Sequence, residues 1–454
     1  MLEFKKIKIS DIEKIKNYTN IKGNFSCETS FVNLFLWQNI YHNMYAENDG
    51  MLFIKSGKNG KYNFRLPFGK DIKKGISLLR EYCGGKDPVL WIQQGERFTE
   101  IEPYIYENYQ LIEKRDAFDY IYLQSDLANL SGKKYHSKRN HISAFSKKYD
   151  WHYSVITEDS IKDVLDCAEE WYKENADRYD KYMQCEHEGI KTVLQNMNIL
   201  NAKGGAIYVD GKIVAFTLGS PINDEVFDVH IEKALRDYAT AYTVINNEFA
   251  KTLTDYKYIN REDDMGLEGL RKAKLSYKPE ILLKKYLCVP KSQICKNIYH
   301  KNFGEEDNIF ENQLFDSCFD YCRYLENDGN IVSMCFAFPC EINDKKALYI
   351  FGVATDENYR NQGFATKLLQ QIKAENDAIL ILRPATENVI TFYKKIGFKE
   401  FTATNIENDF ALKPCNNFLK LAEEYKQKDG DFTAMYLSDT DENLENLYFP
   451  YSMP

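Results

Sequence analysis

Arg360, Gly363 and Ala365 stand in a stretch, Phe351-Gly-Val-Ala-Thr-Asp-Glu-Asn-Tyr-Arg-Asn-Gln-Gly-Phe-Ala-Thr-Lys-Leu-Leu369, whose chemistry is anion binding. The stretch reads as a strand, a short loop and a helix. Its strand ends near 353–355, and its helix begins at about Thr366 with Leu368, Leu369 and Ile372 on one face. Gly363 and Ala365 are small, so backbone N–H groups can approach an anion closely. A helix start concentrates unpaired N–H donors and the positive end of the dipole. Arg360 adds a fixed charge. Such a loop suits a pyrophosphate.

About 25 residues on comes a short apolar strand, Ala378-Ile-Leu-Ile-Leu382, and then Asn388-Val-Ile-Thr-Phe-Tyr-Lys-Lys-Ile-Gly-Phe398. Arg-x-x-Gly-x-Ala followed by Tyr-x-x-x-Gly-Phe resembles the two motifs of the GNAT N-acetyltransferase superfamily, in order and spacing. The resemblance implies acetyl-CoA as co-substrate, with no metal, and an amine that attacks its thioester directly. It implies that Val353 and Thr355 pair with the pantetheine arm and the thioester oxygen. It places Arg360, Asn361, Gln362, Gly363, Phe364, Ala365 and Thr366 on the pyrophosphate, with Asn388 also at the cofactor. Tyr393 takes the place of the family's general acid, since a phenol with a pKa of about 10 can pass a proton to a leaving thiolate. Two positions depart from the pattern. Thr386 stands where many members have Asn, and the strand before the loop has no acidic residue to act as base. Glu341 or a water relay is left for that role.

The elements that must hold this site follow from pattern. A helix over 310–325, a turn at Asn327-Asp-Gly329, a strand over 331–338, a turn at 343–346 and a strand over 347–351 lead into the loop. A last strand includes 410–412, and a helix is expected over 418–425. Upstream, Asn48-Asp-Gly50, Lys58-Asn-Gly60 and Asp210-Gly211 are hairpin turns between alternating strands. Helices are expected over 31–37, 71–82, 161–178, 186–200 and 242–253.

Two polar stretches stand out upstream. Lys133, Lys134, Lys138, Arg139, Lys147 and Lys148 crowd one segment with His136 and His141, as a solvated helix face or an anion contact. Arg261, Glu262, Asp263, Asp264, Arg271, Lys272 and Lys274 crowd a second, where Gly266 and Gly269 suggest a tight turn with exposed amides. It reads as a salt-bridge network or as a site for an aminoacyl or phosphate group. These stretches, with His230-Ile-Glu-Lys-Ala234, make residues 1–290 similar to a bacterial family grouped with the C-terminal domain of phosphatidylglycerol lysyltransferase. That resemblance implies two packed GNAT-like lobes and, more distantly, transfer of an amino acid from aminoacyl-tRNA. Lys138, Arg139, Glu232, Arg261, Asp263 and Arg271 are the candidate site residues of this module.

The whole chain has 454 residues, 44% of them hydrophobic and 14% aromatic, which sets two or three globular domains. Its net charge of −9 lies after residue 290, because acids and bases balance before it. A general nucleic-acid binder does not look like this. Eleven cysteines are scattered without a His cluster, so reduced, buried thiols are expected rather than a metal site. No apolar run reaches the roughly 20 residues of a membrane span, and the start lacks a signal peptide's apolar core. A cytoplasmic protein without integral membrane association is expected. The predicted architecture is α/β (α+β): three GNAT-like lobes, each a mixed, mainly antiparallel sheet flanked by helices. The boundaries are 1–125, 126–290, 291–415 (the acetyltransferase domain) and 416–454 (an extension). The expected activity is acetyl transfer to a small-molecule or peptide amine. The alternatives are aminoacyl transfer by residues 1–290, with aminoacyl-tRNA as partner, and a non-catalytic acetyl-CoA sensor.

Overall fold

The computed structural model describes residues 1–178, 180–304, 308–404, 411–414, 416 and 431–449. The expected helix over 418–425 and the first residue of the strand over 410–412 lie outside them. The chain forms two compact units, one of residues 1–107 and 111–288, the other of 108–110 and 289–454. Three mixed sheets carry the fold, with seven, seven and eight strands.

Each sheet contains the same local unit, two parallel strands joined through a helix. Lys61–Arg65 and Leu90–Gln93 flank the helix Ile72–Tyr82. Val226–Ala234 and Tyr258–Asn260 flank Ala241–Thr252. Lys345–Thr355 and Ile379–Leu382 flank Phe364–Glu375. Antiparallel hairpins build the rest. At Asp49-Gly50, Asn59-Gly60, Asp210-Gly211 and Asp328-Gly329 both central residues have positive φ, as two-residue hairpin turns require.

Chain order and sheet order part company in the first unit. Asp119–Leu123, expected in the first lobe, pairs with Tyr258–Asn260 and Ile281–Leu283 in the second sheet. Lys285–Pro290, expected in the second lobe, pairs with Leu90–Gln93 in the first. Local pattern can find such strands but not their distant partners.

In the second unit, the strand Asn330–Ile342 shows why both faces are covered. Met334, Phe336, Phe338, Cys340 and Ile342 join one core cluster with Cys295, Ile298 and Leu314. Cys335 and Ala337 join the other with Leu368, Leu369 and Ile372. That period of two is the strand's own geometry. The expected helix over 310–325 is shorter, Ile309–Cys318, and Cys322–Asn327 is a strand paired to Asn330–Ile342. The Asp328-Gly329 turn accounts for this, since a two-residue hairpin needs a strand on both sides. Asp431–Leu437, within the expected extension, lies between Ile379–Leu382 and Lys399–Thr404. No described helix is long and apolar enough to cross a membrane.

Candidate active sites

In the second unit the site starts from one glycine. Along Lys345–Thr355, Ala347, Tyr349 and Phe351 face one core cluster. Val353 then packs on the opposite cluster and Ala354 on the first, so the alternation has reversed. Gly352 and Val353 together oppose the single residue Cys335, which is a β-bulge. Gly352 sits at φ +62, and a Cβ there would stand 2.7 Å from the Tyr299 ring.

Just before the bulge the sheet opens. Lys345–Thr355 pairs with Ile379–Leu382 only from Ala347–Ile379 to Tyr349–Ile381. Among the described residues, 350–355 are held by Asn330–Ile342 on one edge and by no strand on the other. Val353 and Thr355 therefore lie on the free edge of a splayed pair. The Thr355 hydroxyl hydrogen-bonds Ser333 at 3.1 Å.

The loop leads from that edge into the helix, which begins at Phe364, two residues earlier than expected. Gly363, at φ +80, caps it, and nothing crowds its missing Cβ. Phe364 is buried and meets Tyr359 edge-on at 5.9 Å. Asn361, Gln362 and Gly363 are exposed, whereas Ala365 and Thr366 are half-buried. Arg360 is exposed, and its Nη2 donates to Asn302 Oδ1 at 2.8 Å. Asn302 Nδ2 also donates to the carbonyls of Ile298 and, at 3.4 Å, Thr355. Asn302 therefore ties loop, strand and helix Lys291–Phe303 together. No motif or spacing marked it.

Tyr393, on helix Glu387–Ile396, packs against Phe392 and Phe398 at 5.0 and 5.6 Å. Burial pushes its phenol well above the usual range. Asn388 is exposed in the first turn of the same helix. Glu341 fails as a base. It sits opposite Lys346, six residues along its strand from the bulge partner Cys335, or about 20 Å at 3.3 Å per residue.

In the first unit the predicted residues separate. Lys138, Glu232 and Arg261 come together. Arg261 Nη2 donates to Glu232 Oε1 at 2.7 Å. Lys138 Nζ lies 3.8 Å above the Tyr277 ring, and the Arg261 guanidinium lies 5.0 Å from the same ring. Burial, then the neighbouring Arg261, lowers Lys138 to about 8. Arg261 Nη1 and Asn246 Oδ1 are buried without hydrogen bonds. Buried polar groups left open in this way call for a water, an ion or a ligand. Lys233 is adjacent in the chain to Glu232, pairs with Glu186 at 2.6 Å and caps Trp171 at 3.9 Å.

Arg139 is not part of this group. It donates to the carbonyls of Leu130 and Gly132 and holds the turn before its own helix. Arg271 belongs to the salt-bridge network, on Asp264 and Asp116 at 2.8 and 2.6 Å, with Arg115 on the other side of Asp264. Gly269, expected in a turn, lies inside helix Glu268–Leu275, whereas Gly266 is a turn residue at φ +75. Asp263 is pushed up to about 7, chiefly by burial. Sequence reasoning missed a further buried ion set. Lys285 Nζ lies 2.7 Å from Asp119 and 3.1 Å from Glu28, and Cys27 N–H donates to Asp119. Its members are too far apart in the chain for any local pattern to join them. A groove of 710 Å³ between Val155, Met197 and Thr252 is lined by none of these residues.

One strand–helix–strand unit recurs in each of the three sheets, and in the last its strands splay ahead of a glycine-capped helix. The comparisons agree. Residues 19–289 match the family described as phosphatidylglycerol lysyltransferase, C-terminal, and the chain belongs to that family. Residues 320–400 match the acetyltransferase (GNAT) domain. A conserved protein of unknown function from Bacteroides thetaiotaomicron VPI-5482 is 39% identical, with a TM-score of 0.60 over 64% of this chain and all of that one. The C-terminal domain (DUF2156) of a putative lysylphosphatidylglycerol synthetase from Agrobacterium fabrum is 13% identical, with a TM-score of 0.45 over 62% of this chain and 91% of that one. An uncharacterized protein of Mycoplasmoides gallisepticum is 27% identical over 180 residues, 37% of this chain. The match spans 55% of that relative's length.

Proposed function

We propose that the second unit is an acetyl-CoA-dependent N-acetyltransferase. The observation that carries this is the splayed strand pair, whose free edge runs into the Arg360–Gly363 loop and the helix start at Phe364. The pantetheine arm adds to the free edge at Val353 and Thr355, as a strand would. The pyrophosphate lies on the loop and first helical turn, with Asn361 to Thr366 supplying amides and Arg360, set by Asn302, supplying charge. Asn388 contacts the cofactor from the next helix. The neutral amine of a small molecule or peptide attacks the thioester carbonyl. The C–N bond forms, the C–S bond breaks, and the thiolate takes the proton of Tyr393, a phenol that burial keeps protonated. Water passes the ammonium proton back to the Tyr393 phenolate, since Glu341 is out of reach.

Calorimetric titration of the full chain with acetyl-CoA tests this, beside Arg360→Ala and Gly363→Glu. Micromolar binding is expected, weakened at least tenfold in Arg360→Ala and lost in Gly363→Glu. No binding by the wild type refutes the reading. Binding without turnover over a broad amine screen leaves a sensor instead.

A second reading concerns the first unit, and the open valences of Arg261 and Asn246 beside Lys138, Glu232 and Tyr277 favour it. This cluster receives an aminoacyl group from aminoacyl-tRNA, with Glu232 near the α-ammonium and Arg261 on the carbonyl. Met265, Leu267, Leu270 and Leu275 are exposed beside Arg271 and Lys272, a ridge that suits an amphiphilic acceptor such as an anionic lipid. Transfer of radiolabelled amino acid from charged tRNA to vesicle lipid, lost in Arg261→Met, is the expected result.

A further inference from the structure

Asp228, His230 and Glu262 form a group that neither acyl-transfer reading uses. Three features of the backbone set it up. His230 is the extra residue of a bulge in Val226–Ala234, since Leu218 pairs with Ile231 and the next residue, Gly219, with Val229. A bulge re-aims a side chain. Glu262 is held at φ +54, with its N–H bonded to the Asn260 side chain at 2.6 Å. Asp228 lies on the same strand as His230 and is 0% exposed.

The side chains converge. His230 Nδ1 is 3.0 Å from Glu262 Oε1 and 3.4 Å from Asp228 Oδ2. The coordinating atoms of all three lie within 4.8 Å of one another. On the far side of the ring, His230 Nε2 hydrogen-bonds Ser220 Oγ at 2.8 Å. Asn33 Nδ2 donates to Glu262 Oε1 at 3.0 Å.

Asp228 is the anomaly. Neither of its carboxylate oxygens has a hydrogen bond. The nearby lysines are committed elsewhere. Lys285 is on Asp119 and Glu28, and Lys274 donates to the carbonyls of Arg261 and Asp263. A buried carboxylate without a hydrogen bond is costly, and beside a second carboxylate it is costlier still.

We propose that Asp228, His230 through Nδ1, and Glu262 bind a divalent transition-metal ion. A zinc-like ion takes nitrogen and oxygen ligands at about 2.0–2.2 Å, which puts tetrahedral ligand atoms about 3.3–3.6 Å apart. The observed 3.0 and 3.4 Å need only small adjustment. One imidazole and two carboxylates suit zinc, cobalt, iron or manganese better than calcium or magnesium. Ser220 then acts in the second shell. It accepts the Nε2–H and fixes the tautomer that leaves Nδ1 free for the metal. The ion satisfies Asp228 and pins the turn after Tyr258–Asn260 to the bulged strand. Glu232 and Arg261 stand on those same two segments, two residues from His230 and next to Glu262.

The full chain, stripped with a chelator, is titrated with Co2+. One ion per chain is expected, with the visible spectrum of a nitrogen-and-oxygen site and no thiolate charge-transfer band. The melting temperature rises with Co2+ concentration, as linkage requires. Asp228→Asn and His230→Gln weaken binding at least about tenfold, and Ser220→Ala weakens it by about 10–100-fold. Asp228→Asn also separates the metal from a merely buried acid. Stripped, this variant melts higher than wild type, because the buried carboxylate without a hydrogen bond is gone. With Co2+ the order reverses. No Co2+-dependent rise in the wild type, or an equal rise in Asp228→Asn, overturns the proposal. So does a thiolate spectrum, which assigns the ion to cysteines.

Discussion

Asp263 and Asp264 are neighbours in the chain with opposite fates. Burial works to raise both. Asp264 is nevertheless held below the usual range by hydrogen bonds from Arg271, Tyr120 and the Gly266 N–H. Asp263 accepts only the Met265 N–H and has no arginine on it, and burial raises it to about 7. Its folded state therefore keeps a proton that the unfolded chain releases near pH 4. Between about pH 4 and 7 the native state binds more protons, so the Asp263 contribution to stability falls as pH rises. Asp263→Asn should gain roughly 1–3 kcal/mol at pH 8 and nothing at pH 4. Urea unfolding at the two pH values reads this directly, and an equal gain at both would remove the argument. Tyr393 poses a parallel test for the proposed transfer. Tyr393→Phe should cut kcat by about 100-fold or more with acetyl-CoA binding unchanged. Residues of this kind were legible where the motif is local, as at Arg360 and Gly363. Lys138 and Arg261 were marked by polarity out of place and, with Glu232, by the family resemblance. Asn302, Asp228 and Lys285 were not legible, because each matters through partners that the fold brings from elsewhere.

At the scale of elements, turn chemistry carried the furthest. Asp-Gly and Asn-Gly pairs placed four hairpins, since few residues accept positive φ at two successive positions. Helix and strand lengths were less secure. Cys322–Asn327 continues a run that is helical in composition, and only its pairing to Asn330–Ile342 makes it a strand. The Gly352 bulge was invisible, because reversing an alternation takes one residue and leaves both sides apolar. Yet the bulge sets which way Val353 faces. Gly352→Ala meets both a positive φ and the Tyr299 ring, so it should cost about 1–3 kcal/mol. It should also weaken acetyl-CoA binding more than Gly50→Ala, which sits in a turn with open space around it. Thermal melting with and without acetyl-CoA compares the two. An equal loss of binding in both variants would detach the bulge from the cofactor edge.

Across the whole molecule, each proposed chemistry is built from the residues of one unit. Val353, Thr355, Arg360, Asn302 and Tyr393 belong to the second, and Lys138, Glu232, Arg261 and Tyr277 to the first. The two sets share no side chain. Changes at sites without shared partners add to within a few tenths of a kcal/mol, whereas coupled sites deviate by about 0.5–3 kcal/mol. Arg360→Ala should therefore weaken acetyl-CoA binding at least about tenfold and leave aminoacyl transfer at its wild-type rate. Arg261→Met should do the reverse, and the double variant should lose both by the product of the single effects. A shared reaction predicts otherwise. If the second unit acetylated an amine that the first unit supplies, acetyl turnover would fall in Arg261→Met to the level set by that supply, and adding the free amine would restore it. Measuring both activities in the three variants, with and without added amine, decides whether one chain runs two reactions or one reaction in two steps.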